Sequence, residues 1–187
     1  MKKYQIIYAD PPWSYNDKMI GHGGAESEYQ TQGLEWIKSL KVGEIADKNC
    51  VLFLWAVSPL LPEAFEVITA WGFKYKTVGF CWNKLTSDGI LISNMGRWTM
   101  GNIELCLIAT KGSPRRICKN VKQQVSAIRE NHSKKPDIVR RRIVDLMGNL
   151  PRIELFCRDN GLINLFNEKR MDGWDTFGNE VKSDITL

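Results

Sequence analysis

Four consecutive residues carry the densest chemistry in this chain: Asp10, Pro11, Pro12 and Trp13. They follow directly on an apolar run, Tyr4 to Ala9. At usual residue frequencies such a tetrapeptide arises by chance in on the order of one chain in several thousand. Two prolines lack N–H groups and fix φ, so the turn is stiff and the Pro11 carbonyl is aimed. Carboxylate and carbonyl together make a pair of acceptors. Such a pair suits the exocyclic amine of adenine, whose lone pair is delocalised into the ring and attacks poorly. Accepting from its two hydrogens draws the nitrogen towards tetrahedral geometry. Transfer of a group to that nitrogen then depends on holding both partners in line at close range. Trp13, or Tyr15 just beyond it, offers an aromatic face for a base taken out of its stack, a contact worth roughly 1–3 kcal/mol. The plainer reading is a rigid turn in which Asp10 caps a neighbour.

The elements that must position this turn can be read from the apolar pattern. Tyr4 to Ala9 reads as a buried strand, and Val51 to Ala56 (VLFLWA) as a central strand covered on both faces. Leu34 to Leu40 reads as a short helix. Ser58-Pro59 looks like a helix start, with Ser58 as N-cap, and Gly72 would end that helix after Trp71. Phe73 to Trp82, Ile103 to Thr110 and Arg152 to Cys157 read as further strands. Pro136 to Met147 reads as a helix with an apolar stripe of Ile138, Ile143, Leu146 and Met147. Lys111 to Asn131 reads as basic and irregular. The alternation predicts one α/β domain over residues 1–187, doubly wound around a mostly parallel sheet. Ligands in that architecture bind outside the carboxyl ends of the strands. Asp10 stands at one such end, and Arg158-Asp159 at another.

Composition narrows the class. The chain has 187 residues, 43% hydrophobic and 25% charged, as an ordinary globular protein does. No run approaches the roughly eighteen apolar residues of a membrane span, and the N-terminus does not read as a signal peptide. The expected setting is cytoplasmic, with no membrane partner. Cys50, Cys81, Cys106, Cys118 and Cys157 show no C-x-x-C spacing, and His22 and His132 are the two histidines. The cysteines read as buried reduced thiols, and no metal site is expected. The net charge of +5 is mild, but eleven Lys or Arg crowd Lys111 to Arg142 against Glu130 and Asp137. Such a stretch is either a footprint for phosphates or a solvated face. Of seven tryptophans, most should be core and one or two could stack on bases.

The segment IIYADPPWSY resembles the catalytic motif of the MT-A70 family of adenine methyltransferases. The resemblance extends to LFLWAVSPLLPEAFEVITAWGFKYKTVGFCWNK, to Arg97 through Cys106, to Arg129 through Asp137, to RIELFCR, and to Gly173 through Glu180. It implies a Rossmann-like fold of the class I methyltransferase type, with S-adenosyl-L-methionine as methyl donor. It also implies a permuted order in which the catalytic motif precedes the cofactor motif. It places Asp10, Pro11, Pro12 and Trp13 at the target amine. Lys135 would lie between cofactor and substrate, with Glu104 near it. Asp10, Lys135, Glu154, Phe156, Arg158, Asn179 and Glu180 would contact the cofactor. Tyr15, Arg97, Trp98, Glu104 and Lys135 would contact the substrate.

The chain also departs from the family pattern. Cys157 stands where many members have Gly or Ala, and the segment from Asp159 to Asp172 is longer than in some relatives. No added recognition domain is expected, so loops or a partner would read the target. Two long glycine-containing segments, Trp13 to Gln30 and Asn83 to Gly101, are the candidate lids. DNA is the expected nucleic acid and RNA the runner-up, with a homodimer as the expected assembly. A non-catalytic nucleic-acid-binding subunit is the other reading, against which the intact Asp-Pro-Pro-Trp motif speaks. Methylation of a protein amide would favour asparagine and tyrosine at the motif's ends.

Overall fold

The structure, a computed structural model, describes residues 2–14, 33–96, 98–130, 134–157 and 173–178, together with 185 and 187. Seven strands form one sheet: β1 (Tyr4–Ala9), β2 (Ala46–Ala56), β3 (Lys74–Leu85), β4 (Ile103–Lys111), β5 (Gln124–Ile128), β6 (Arg152–Leu155) and β7 (Trp174–Phe177). Their order across the sheet is β5-β3-β4-β2-β1-β6-β7. β1 pairs parallel with β2 and β6, β6 with β7, and β3 with β5. β4 runs antiparallel to both its neighbours, β2 and β3. The sheet is mostly parallel with one reversed strand, as the sequence predicts for a Rossmann-like α/β fold.

Alternation along the central strands builds two cores, one on each face. Ile7, Leu52, Leu54 and Leu107 point to one face. There they meet α1 (Leu34–Ser39), α2 (Val42–Ile45) and α3 (Leu61–Ala70). Trp71, 1% exposed, donates its indole N–H to the Ile37 carbonyl at 2.9 Å and so ties α3 to α1. Ile6, Tyr8, Val51, Phe53, Trp55, Phe80 and Trp82 point to the other face, where α4 (Asp137–Met147) supplies Val139, Ile143 and Met147. Burying one such large apolar side chain contributes roughly 1.5–3 kcal/mol. The two covered faces therefore hold the central strands, and with them the strand ends, in fixed register.

Several boundaries differ from the sequence reading, for physical reasons. Ser58 does not cap a helix. Ser58–Leu60 forms a single 3-10 turn, Pro62 lies in the first turn of α3, and Gly72 ends the element at φ +79°. β5 lies inside the stretch read as irregular. Its edge position leaves one side unpaired, so its five residues show no apolar run. α4 starts after Pro136, and its buried stripe is led by Val139 rather than Ile138. β6 stops at Leu155 because Phe156 turns into the left-handed region at φ 63°. Cys50, Cys106 and Cys157 are buried, Cys81 and Cys118 are half-buried, and none of the five forms a disulfide.

The chain reverses its winding between β1 and β6. From β1 it moves to β2 on one side, and from β6 to β7 on the other. Neighbouring parallel strands whose connections diverge leave a crevice outside their carboxyl ends. Asp10 opens one side of that crevice, and Phe156 and Cys157 open the other.

Candidate active site

Four side chains of alternating charge meet at the carboxyl edge of the sheet. Asp10 follows β1, Glu104 lies on β4, Lys84 lies near the end of β3, and Lys135 stands two residues before α4. β4 is reversed, so its first residues reach the same edge as the last residues of β1 and β3. Lys135 Nζ donates to Asp10 Oδ2 at 2.7 Å and lies 3.4 Å from Glu104 Oε2. Lys84 Nζ donates to Glu104 Oε1. All four side chains are 10–21% exposed, which makes a pocket floor rather than a surface ion pair.

Burial alone would pull Lys135 below its ordinary value. Asp10 and Glu104 together more than reverse this and hold its ammonium well above it. Burial alone would raise Glu104, but Lys135 and Lys84 hold its carboxyl below its ordinary value. At neutral pH the cluster therefore keeps a fixed ammonium against Asp10.

Aromatic rings frame these charges. The Lys135 ammonium lies 5.5 Å from the Trp55 ring centre, and that of Lys84 5.3 Å from Trp82. The two indoles meet edge to face at 6.3 Å. Trp55 donates its N–H to the Tyr8 hydroxyl at 2.7 Å, and Trp82 donates to the Ala127 carbonyl at 3.0 Å. Trp13 is 6% exposed and donates its indole N–H to the Trp55 carbonyl at 3.0 Å. The Asp10–Trp13 turn is pinned from below. Trp13 N–H also donates to the Pro11 carbonyl at 2.8 Å, which closes the turn over Pro12 and occupies one of that oxygen's two lone pairs.

The crevice beside Asp10 is floored by backbone. Cys157 N–H donates to the Phe177 carbonyl at 3.0 Å. A Cβ on Gly178 would come within 2.2 Å of the Cys157 carbonyl oxygen, so glycine is needed for this close approach. The left-handed Phe156 sits at the head of this shelf. Backbone strain at a non-glycine residue is commonly found where a ligand is clamped.

Against known proteins, the MT-A70 family model matches residues 4–180. A Type II methyltransferase, M.MunI, from Mycoplasma sp is 34% identical over 96% of this chain and 78% of its own length. The chain belongs to the MT-A70 family. A putative N(6)-adenosine-methyltransferase MT-A70-like protein of Medicago truncatula is 28% identical over 96% of this chain, and one of Arabidopsis thaliana is 25% identical over 95%. The chain spans about a quarter of those plant proteins, 26% and 24% of their lengths.

The structure gathers Asp10, Pro11, Pro12, Trp13, Glu104 and Lys135 of this MT-A70 chain at one edge. Glu154 lies on β6 beside Tyr8, near enough to Asp10 for the two charges to repel. Both Glu154 carboxylate oxygens accept from Arg140 of α4, each at 2.5 Å, and the residue is 6% exposed. Phe156 flanks the crevice, but its ring packs near Trp71 and Trp36 at 6.5 and 6.3 Å. Trp98 is 99% exposed on the excursion between β3 and β4. Tyr15, Arg97, Arg158, Asn179 and Glu180 lie outside the described residues, as do His22 and His132. Among the described residues no group of three or more His, Cys, Asp or Glu is placed to hold a metal. No helix among them is long and apolar enough to cross a membrane.

The basic stretch is split between two ends of the sheet. β4 is reversed, so Lys111 leaves at the edge opposite Asp10, and Ile117 N–H donates to Leu146 near the far end of α4. β5 then returns the chain to the site edge, where Arg129 N–H donates to Leu85. Lys84 and Arg140 were not singled out from sequence. A lysine two residues from a core tryptophan at a strand end was the available signal for Lys84.

Proposed function

We propose that residues 1–187 act as one methyltransferase domain that moves a methyl group from S-adenosyl-L-methionine to the 6-amino group of adenine in DNA. The observation that carries this reading is the braced acceptor at the strand switch: Asp10 on a stiff Pro-Pro turn, held by Lys135 at 2.7 Å. When bound, the cofactor supplies a methyl group made electrophilic by its sulfonium. Everything else falls to this chain. The Asp10 carboxylate and the Pro11 carbonyl accept from the adenine amine and set its lone pair in line. Asp10 also stabilises the positive charge that develops on nitrogen, and Lys135 fixes the carboxylate's direction. The proton that nitrogen sheds leaves on the Asp10 side.

The donor set fits the cofactor. Gly178 lets the chain after β7 pack directly on the Cys157 backbone at the crevice, and the neighbouring Asp10 carboxylate suits a cationic sulfonium. Lys135, Phe156, Arg158, Asn179 and Glu180 would hold its remaining groups. Glu154, each of whose oxygens accepts one bond from Arg140 and keeps a second lone pair, would belong to this set as well. Tyr15, Arg97 and Trp98 would face the nucleic acid. DNA is favoured over RNA by the match to a Type II methyltransferase across most of both chains. Five cysteines with no disulfide among them fit a cytoplasmic, reducing setting. A homodimer is the proposed working form, and it would cover apolar side chains such as Met95, 92% exposed.

The test offers labelled S-adenosylmethionine with DNA and RNA pools in parallel, followed by nucleoside analysis. Label in N6-methyladenine from DNA is the expected result. Label from RNA alone overturns the choice of nucleic acid, and label in neither pool overturns the activity.

A further inference from the structure

Lys84 closes one of the blocks that resemble the family but carries no role there, and it ends the chain of charges that reaches Asp10. On the β3–β4 ladder Trp82 lies opposite Glu104, so Lys84 is the diagonal neighbour of that carboxylate. Its side chain is 18% exposed and its ammonium sits over Trp82. Trp82 is 2% exposed and anchored to Ala127, so a core residue sets the lysine's approach.

Glu104 divides its oxygens. Oε1 accepts from Lys84, and Oε2 faces Lys135 at 3.4 Å. Lys135 is drawn two ways in turn, and it sits closer to Asp10, at 2.7 Å, than to Glu104. Without Lys84, Lys135 would be the only cation of this chain of four charges left to balance Glu104. A buried carboxylate needs a partner, and in low dielectric the pull on Lys135 would be strong. Lys135 would move towards Glu104 and release Asp10.

We propose that Lys84 is a positioning residue for methyl transfer, which acts through Glu104 to keep Lys135 on Asp10. The inference rests on the adenine methyltransferase reading of the site. It assigns Lys84 no contact with cofactor or nucleic acid.

The experiment compares native protein, Lys84→Met, Lys84→Arg, Glu104→Gln and the double variant Lys84→Met with Glu104→Gln. Each is assayed for kcat and for KM of both substrates. In Lys84→Met, kcat should fall by up to about a hundredfold, as for a reacting group displaced by ~1 Å, with the KM for nucleic acid kept. Lys84→Arg should recover most of the loss, since it restores the cation beside Oε1. Lys84→Met should cost far less in the Glu104→Gln background, because the carboxylate through which it acts is gone. An unchanged kcat in Lys84→Met overturns the inference. So do equal losses in Met and Arg, additive losses in the double variant, or a raised KM for nucleic acid at native kcat. If Lys84→Met does not fold, Lys84→Gln carries the same comparisons. Native protein inactive on both nucleic acids would sink the underlying reading, whereas active native protein with unaffected Lys84→Met would sink only this inference.

Discussion

Two charged clusters share α4 and the segment that leads into it, and they follow opposite plans. In the first, Arg140 spends its guanidinium on Glu154 and Asp137, at 2.5 and 2.6 Å. It also lies 5.6 Å from the Tyr8 ring centre. The carboxylate of Glu154 accepts one bond from it at each oxygen. In the second, Lys135 is shared unequally between Asp10 and Glu104, and Glu104 between Lys135 and Lys84. The first joins a helix to the sheet beneath it. The second ends at the crevice where the connections leaving β1 and β6 diverge. A two-bond buried pair reports architecture. A graded chain of shared charges ending on a stiff turn reports chemistry.

The comparison can be broken where it is strongest. Glu154→Ala takes the two-bond partner from a buried guanidinium and leaves it Asp137, so it should cost about 3 kcal/mol of stability, read from the denaturant midpoint. Lys135→Met removes one preorganised partner beside the reacting atoms and should lower kcat/KM by about 10²–10³-fold. Its thermal midpoint should drop less than that of Glu154→Ala. Reversed rankings, with Glu154 governing turnover and Lys135 governing melting, would merge the two clusters into one.

A finer effect concerns acid. Glu104 is held below its ordinary value of 4.5 in the folded protein, with burial opposing and Lys135 and Lys84 prevailing. Its contribution to stability is therefore full above that value and fades as pH falls through the folded value. Glu104→Gln should flatten the loss of melting temperature below about pH 4.5 by a small margin. An unchanged acid slope would place Glu104 outside the coupled chain. The smallest effect is expected at the far edge. Charge reversal at Arg115 and Arg116 should leave DNA affinity and its salt dependence nearly unchanged, while reversal at Arg129 should weaken binding and reduce the salt slope by about 1–2. A slope change at Arg115 and Arg116 would bring that edge into the binding surface.

How much of this was legible in the sequence depended on range. The strands β1, β2 and β4 were legible because their apolar runs are local and continuous. The Asp10–Trp13 turn was legible because proline chemistry acts within a few residues. β5 was hidden, since an edge strand of five residues carries no such run. The reversal of β4 was hidden too, as strand direction leaves no trace in composition. That one reversal sends Lys111 away from the site and brings Glu104 into it. The resemblance gave Glu154 a cofactor role, whereas its partner Arg140, fourteen residues away, became visible only when α4 was laid across β6. Lys84 and Glu104 are twenty residues apart and meet through strand pairing alone.

The most direct test of the account is methyl transfer to DNA by native protein and by Asp10→Ala, both folded and both at saturating S-adenosylmethionine. The account predicts N6-methyladenine from the native protein and none above background from Asp10→Ala. A variant that methylates adenine at the native rate would contradict it, and would show that the Asp10–Lys135 pair supports the turn rather than the reaction.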